Sequence, residues 1–326
     1  MAEYKGIKGF KVQYLSADPS NPIIGQTWYN STSKDLKYTS VTTAGSWATG
    51  NSMNTGRVGL GGAGTQTAAL AFGGSIPPGT VAQSATEKYD GTSWTSNPTG
   101  LNTARAYLTG TGTQTSALAF GGDDPVSAAT EEYNGATWAS SNNLNTGRGY
   151  LAGAGTQTAG LAFGGSIPPY TGATEEYDGT SWATSPGSLN TARGFLAGAG
   201  IQTAALAFGG TTGSATGATE EYNGATWTSN PTGLNTARAA LAGSGTQTAA
   251  LAFGGGPYTG ATEEYDGSNW TTSPASLATA RSYLAGAGTQ ASALAFGGDS
   301  GSPGGSAVTE EWTGAGSPQT KTITVS

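Results

Sequence analysis

The stretch Asn190-Thr-Ala-Arg-Gly-Phe-Leu-Ala-Gly-Ala-Gly-Ile-Gln-Thr-Ala-Ala-Leu-Ala-Phe-Gly-Gly210, followed by Thr219-Glu-Glu-Tyr222 and Trp227, decides the fold. Close copies of it fill almost everything from residue 50 onward, and a fixed period of this size points to an array of equivalent units. Arginine recurs at Arg57, Arg105, Arg148, Arg193, Arg238 and Arg281, in steps of 48, 43, 45, 45 and 43, and these are all the arginines in the chain. Paired glycines end the Leu-Ala-Phe run six times, at Gly73, Gly121, Gly164, Gly209, Gly254, Gly297 and the residue after each. An aromatic residue follows at Tyr89, Tyr133, Tyr177, Tyr222, Tyr265 and Trp312, and a tryptophan stands five residues beyond each of the first five.

Each unit resolves into four strands. The first is Arg-x-x-Leu-Ala-Gly-Ala-Gly, whose small residues suit a crowded position. In the second, Thr-Ala-Ala-Leu-Ala-Phe, the period-2 alternation puts Leu206 and Phe208 on one face and Ala205 and Ala207 on the other. A sheet with bulky residues on one face and alanines on the other stacks against a copy of itself, large into small. The third strand is Thr-Glu-Glu-Tyr. Asp178-Gly179 or Asn223-Gly224 then turns the chain into a fourth strand at the tryptophan. Four antiparallel strands in each ~45 residues, apolar on both faces, are the mark of a propeller blade.

The glycine doublet, the tyrosine and the tryptophan at near-constant offsets resemble the kelch repeat over residues 47–314, and that resemblance implies a β-propeller. The wording "LNTAR…LAGAGTQTAALAFGG…TEEYDGTSW" is more narrowly similar to kelch-like arrays in structural and tail-fibre proteins of marine bacteriophages (cyanophages). The flanks "GQTWYNSTSKDLKY" and "TEEWTGAGSP" are similar to the flanks of those arrays. The expected fold is therefore all-β, a kelch-like β-propeller of six four-stranded blades. The last repeat has Thr309-Glu-Glu-Trp312 but Ser317 where its tryptophan belongs, and the missing strand stands at the start as Ser46-Trp47-Ala-Thr-Gly50. Closure by this N-terminal strand removes the open edges that would otherwise aggregate. The alternative has seven blades, with residues 6–50 as the seventh and Lys321–Ser326 completing the last repeat. The domain reading is a non-repeat, strand-rich attachment segment at 1–46, carrying five of the seven lysines (Lys5, Lys8, Lys11, Lys34, Lys37), and a propeller at 47–326.

Composition narrows the chemistry. The 326 residues include 55 glycines, 14 prolines and only 10% charged residues, a mixture suited to short strands and tight turns. A net charge of −7 argues against binding duplex nucleic acid, which needs a basic face. The absence of cysteine and histidine removes disulfides, thiolate chemistry, the commonest general base and the commonest transition-metal ligand. No secretory signal and no apolar run of ~18 residues is visible, so neither export nor membrane insertion is expected. Galactose-oxidase-like propellers need copper-binding histidines, and a sialidase-like site needs clustered arginines with a tyrosine nucleophile. Neither pattern is present, and no enzyme and no cofactor are expected.

Two sets of residues are candidates for binding. The six arginines would form a ring of positive charge near the channel, on the face that carries the loops after the glycine doublets. They would there hold an acidic ligand, or each would pair with the repeated Glu87, Glu131, Glu175, Glu220, Glu263 or Glu310 and serve packing. The Glu-Glu doublets do not make a catalytic carboxylate pair, because adjacent strand residues point to opposite faces. The loops after the doublets are where the units differ, and they carry Tyr170 and Tyr258. Beside them, two positions past each arginine, stand Tyr107, Tyr150, Phe195 and Tyr283, with Gly59 and Ala240 in the other two units. Aromatics on exposed loops suit glycan stacking or protein docking. Asp123, Asp124 and Asp299 lack the fixed spacing of a Ca²⁺ loop, and Asn30-Ser-Thr matches a glycosylation acceptor. The expected role is a virion component, made in the host cytoplasm, that contacts other virion proteins or a host-surface glycan or protein. A free lectin-like propeller is the alternative.

Overall fold

The computed structural model describes residues 12–20, 23, 25–41, 44–78, 81–123, 125–316 and 318–323. Every element among them is a strand or a turn, and the chain divides into two compact units, Ser46–Thr313 and Met1–Gly45 with Gly314–Ser326.

The larger unit holds six four-stranded antiparallel sheets, one for each copy of the repeat. In the fourth copy the strands are Ala197–Ile201, Ala204–Phe208, Thr219–Tyr222 and Trp227–Asn230. The Asn223-Gly224 turn joins the last two, with Gly224 at φ +88 and the Asn223 side chain accepting from the Ala225 and Thr226 amides. The innermost strands neighbour one another in cyclic order, an arrangement consistent with a β-propeller. The sixth sheet takes its outer strand from the other end of the chain: Ser46–Gly50 pairs antiparallel with Thr309–Thr313, placing Trp47 opposite Trp312. The strand Pro318–Thr322, in contrast, pairs with Asp35–Val41 in the smaller unit. The C-terminal stretch thus does not complete the last repeat, as the seven-bladed alternative required. It belongs with the N-terminal segment rather than with the repeat array.

Alternation along the second strand produces the stacking expected of it. Ala205 and Ala207 pack with Leu161 and Phe163 of the preceding sheet, while Leu206 and Phe208 pack on Ala250 and Ala252 of the following one. Burying a Leu or Phe side chain contributes roughly 1.5–3 kcal/mol, so each seam rests first on this apolar register. The glycines of the innermost strand make room for it, since a Cβ at Gly243 would lie 2.4 Å from the Phe208 ring.

Polar side chains then tie each sheet to the one before. Each outer-strand tryptophan donates its indole N–H to a third-strand threonine hydroxyl in the preceding sheet, at 2.9–3.0 Å in all six seams. At the opposite end from the glycine doublets, the turn glutamine (Gln66, Gln114, Gln157, Gln202, Gln247, Gln290) donates to two backbone carbonyls of the preceding sheet. Buried carbonyls left without donors would cost about 1–3 kcal/mol each.

In the smaller unit, Thr27–Asn30 and Asp35–Val41 form the hairpin expected from the sequence, flanked by Gln13–Leu15 and Pro318–Thr322. Asp18 organises it by accepting from Trp28 Nε1, Asn30 Nδ2 and Lys37 Nζ, and these donors hold its carboxyl down at about 2. Asn30, within the Asn-Ser-Thr match, is therefore buried and bonded. Lys5, Lys8 and Lys11 lie outside the described residues.

Candidate ligand-binding face

The face carrying the glycine doublets is built from the backbone upward. The Arg-x-x-Leu stretch does not continue the innermost strand, as the sequence pattern suggested. The chain bends just before it, at the residue two past each arginine. Gly59, Tyr107, Tyr150, Phe195, Ala240 and Tyr283 all sit in the left-handed region, at φ +52 to +60. A non-glycine residue there is strained by about 1–2 kcal/mol, and the compensation is a closed ring of backbone bonds. Each of these six residues donates its N–H to the carbonyl of its counterpart in the preceding sheet at 2.7–3.0 Å, and Gly59 to Tyr283 completes the circle. A second circle runs outside it: the second glycine of each doublet donates to the arginine carbonyl of the next sheet at 2.8–3.0 Å, ending with Gly298 to Arg57. The first glycine of each doublet must approach the same carbonyl closely. A Cβ at Gly209, φ +64, would stand 2.8 Å from Arg238 O.

The arginines lie beneath these circles. All six are at most 1% exposed. Each is paired to the first glutamate of its own sheet: Arg57–Glu87 at 2.8 Å, Arg105–Glu131 at 3.0 Å, Arg148–Glu175 and Arg193–Glu220 at 2.6 Å, Arg238–Glu263 at 3.2 Å, and Arg281–Glu310 at 3.1 Å. The neighbouring carbonyl acceptors are also within the sheet, for example Gly73 O and Ala85 O for Arg57. Desolvation pulls every arginine below its usual range, Arg281 to about 10, against the opposing pull of the glutamate. The guanidinium groups have no open surface for an acidic ligand. Of the two readings of the arginines, the geometry matches the packing one.

The second glutamate of each doublet points the other way. Glu132, Glu176, Glu221 and Glu311 each accept from the tyrosine hydroxyl of the following sheet. In the first sheet Lys88 stands at that position, its ammonium 5.5 Å from the Tyr133 ring centroid. The two carboxylates of a doublet thus never face one another.

The rings two past the arginines do converge. Tyr107 and Tyr150 are 4.5 Å apart between centroids, Tyr150 stacks on Phe195 at 4.0 Å, and Tyr283 meets Tyr107 and Phe195 edge-on at 5.6 and 6.0 Å. With Gly59, Ala240 and the start of the inner strands they line a cavity of about 160 Å³ at the channel mouth. Tyr170 meets Phe195 edge-on at 6.2 Å, and its ring covers Gly194. Tyr258 is 47% exposed and donates its hydroxyl to Asp299 Oδ2 at 3.0 Å. The phenols of Tyr150, Tyr258 and Tyr283 are held above their usual range. Desolvation leads for Tyr150 and Tyr283, followed by neighbouring tyrosines and by Asp123 or Asp299, while for Tyr258 the hydrogen bond to Asp299 leads.

Asp124 lies outside the described residues, and among those described no group of acidic side chains could hold a metal ion. Sequence reading found the aromatic positions but not the left-handed ring that aims them. The signal was the glycine at position 59, aligned with tyrosines elsewhere. No protein-family model matches the chain, and no curated protein does.

Proposed function

We propose that this chain is a six-bladed, kelch-like β-propeller closed by its N-terminal strand, acting as a non-enzymatic structural and adhesion module. Its loop face contacts a host-surface glycan or protein, and residues 1–45 with 314–326 attach it to a larger assembly. The similarity of its repeats to arrays in marine bacteriophage tail and structural proteins makes a virion the setting of this proposal, with other virion proteins as partners and no nucleic acid or membrane insertion involved.

One observation carries the reading. The charged groups repeated in every unit are consumed inside the scaffold, whereas the residues that differ between units gather on one face. Repeated positions serve what all blades share, and loops on a rigid scaffold are where binding resides. The test is adhesion of the labelled chain to candidate host cells, comparing wild type with Tyr170→Ala and Tyr258→Ala. Loss of adhesion with unchanged melting supports the reading. Equal adhesion of both variants, or adhesion blocked only by antibodies against the smaller unit, refutes it. A free lectin-like propeller is favoured instead if soluble sugars saturate the loop face in the absence of any particle.

A further inference from the structure

We propose that the seam between the fifth and sixth sheets is a built-in latch, the place where the ring opens, and that Glu264 governs its release. The second glutamate of each doublet marks what sets this seam apart. In four seams that carboxylate accepts from a phenol of the next sheet. In the seam after the first sheet Lys88 takes its place, and the Tyr133 hydroxyl accepts from Asn97 Nδ2 instead. For Glu264 the phenol would have to come from the sixth sheet. That sheet carries Trp312 there, which has no hydroxyl and donates its indole N–H to Gln290 O of its own sheet at 2.8 Å. Among the described residues Glu264 has neither a hydrogen bond nor an ion pair.

Register places this carboxylate on the seam. Glu264 stands opposite Leu251 and Thr271, on the face of the fifth sheet that packs against Ala293, Ala295 and Trp312 of the sixth. None of these side chains is charged or titratable. Burial alone acts on the carboxyl and pushes it up, because an ionised carboxylate without a donor is unfavourable beside apolar groups. The folded state therefore holds this proton more tightly than the unfolded one. The seam is firmest below pH ~4 and loosens as pH rises through the raised value, the opposite sense to a paired carboxylate.

The closing strand lies on the same seam. Trp47, from Ser46–Gly50, meets Phe253 edge-on at 5.1 Å and donates to Thr262 Oγ1, yet it is only partly buried, whereas its five counterparts are 5–6% exposed. Four other seams have a bond from just past the outer strand to the turn of the next sheet, such as Asn142 Nδ2 to Thr180 O at 2.9 Å. The sixth sheet has no such turn, because the chain leaves it at Thr313 for the smaller unit, directly opposite Ser46, where the chain enters. A seam with one carboxylate unpaired and one outer bond missing thus sits where the chain enters and leaves the ring.

The test is hydrogen exchange of the full chain read by mass spectrometry, with protection expressed relative to the intrinsic rate at each pH so that local opening is compared directly. At pH 7 the Ser46–Gly50 amides are expected to be at least about tenfold less protected than those of the outer strands Trp138–Ser141 and Trp227–Asn230. Glu264→Gln should raise their protection several-fold at pH 7 by removing the unpaired charge. Taking the wild type to pH 5 should reproduce part of that gain and leave the variant unchanged. Glu221→Gln, at the equivalent position one seam earlier, should do the opposite in its own seam, because it weakens the bond from Tyr265. Closing-strand protection equal to that of the other outer strands overturns the proposal. So does a Glu264→Gln variant no better protected than wild type, or a wild type no better protected at pH 5 than at pH 7.

Discussion

Glu220→Gln breaks one of the six buried Arg–Glu pairs of the fold. Glu220 is 1% exposed, and four donors converge on its carboxylate: Arg193 Nη1 at 2.6 Å, the Asn190 amide at 2.6 Å, Asn190 Nδ2 at 2.9 Å and the Thr191 amide at 3.3 Å. Glutamine keeps the shape but offers one acceptor oxygen and sets an NH₂ against the other donors. It also leaves the Arg193 charge buried without a counter-ion. Breaking a buried pair in this way costs about 3–5 kcal/mol, and at about 2–4 °C per kcal/mol for a unit of this size the melting temperature should fall by about 6–20 °C. Two companions make the reasoning specific. Glu221→Gln, on the partly exposed face of the same doublet, should cost no more than about 1 kcal/mol. Adding Arg193→Met to Glu220→Gln should recover more than half of the loss, because the unpaired charge is gone. The assay is thermal unfolding followed by tryptophan fluorescence. A Glu220→Gln variant that melts within about 2 °C of wild type, or a double variant no better than the single, would refute the account of the arginines as buried and paired.

Three further outcomes follow from the seams. Gly209→Ala places a Cβ 2.8 Å from Arg238 O at φ +64 and should destabilise by about 2–5 kcal/mol, from left-handed strain and overpacking together; a urea midpoint unchanged from wild type would count against the close approach. A chain cut to residues 46–313 should keep the association state of the full chain, whereas one cut to 51–313 loses the strand paired with Thr309–Thr313 and should self-associate through that open edge; size-exclusion profiles that do not differ would remove the closure argument. Tyr177 and Tyr222 are pushed up to about 12, first by desolvation and then by Glu132 and Glu176 respectively. The folded state holds these protons more tightly than the unfolded one, so this contribution is full below pH ~10 and is lost as pH rises through about 12. Alkaline unfolding should therefore coincide with tyrosinate absorbance, and stability flat across that window would contradict the inter-sheet bonds.

Periodicity made the scaffold legible and left the chemistry of the seams obscure. Strand order, hairpin turns, the Leu/Phe-against-Ala register and the pairing of Trp47 with the last repeat all follow from alternation and from counting what the last unit lacks. The turn glutamines were equally regular, yet Gly-Thr-Gln in a tight turn reads as solvent-facing turn chemistry, and nothing local reveals that Gln247 reaches Ala205 O and Tyr222 O in the preceding sheet. The arginines left two readings open because a guanidinium at a strand end suits a ligand or a glutamate equally, until burial decides. The mouth was hardest to read, since an aromatic at positive φ runs against local preference and is held only by neighbours about 45 residues away on either side. The same logic underlies the proposed function. Two closed circles of six equivalent backbone bonds, with the six buried Arg–Glu pairs beneath them, make these repeated polar groups structural, so under that proposal specificity resides where equivalence fails. Gly59, Ala240, Tyr258 and Asp299 are such failures, and all four lie on the face with the glycine doublets rather than among the turns at the other end.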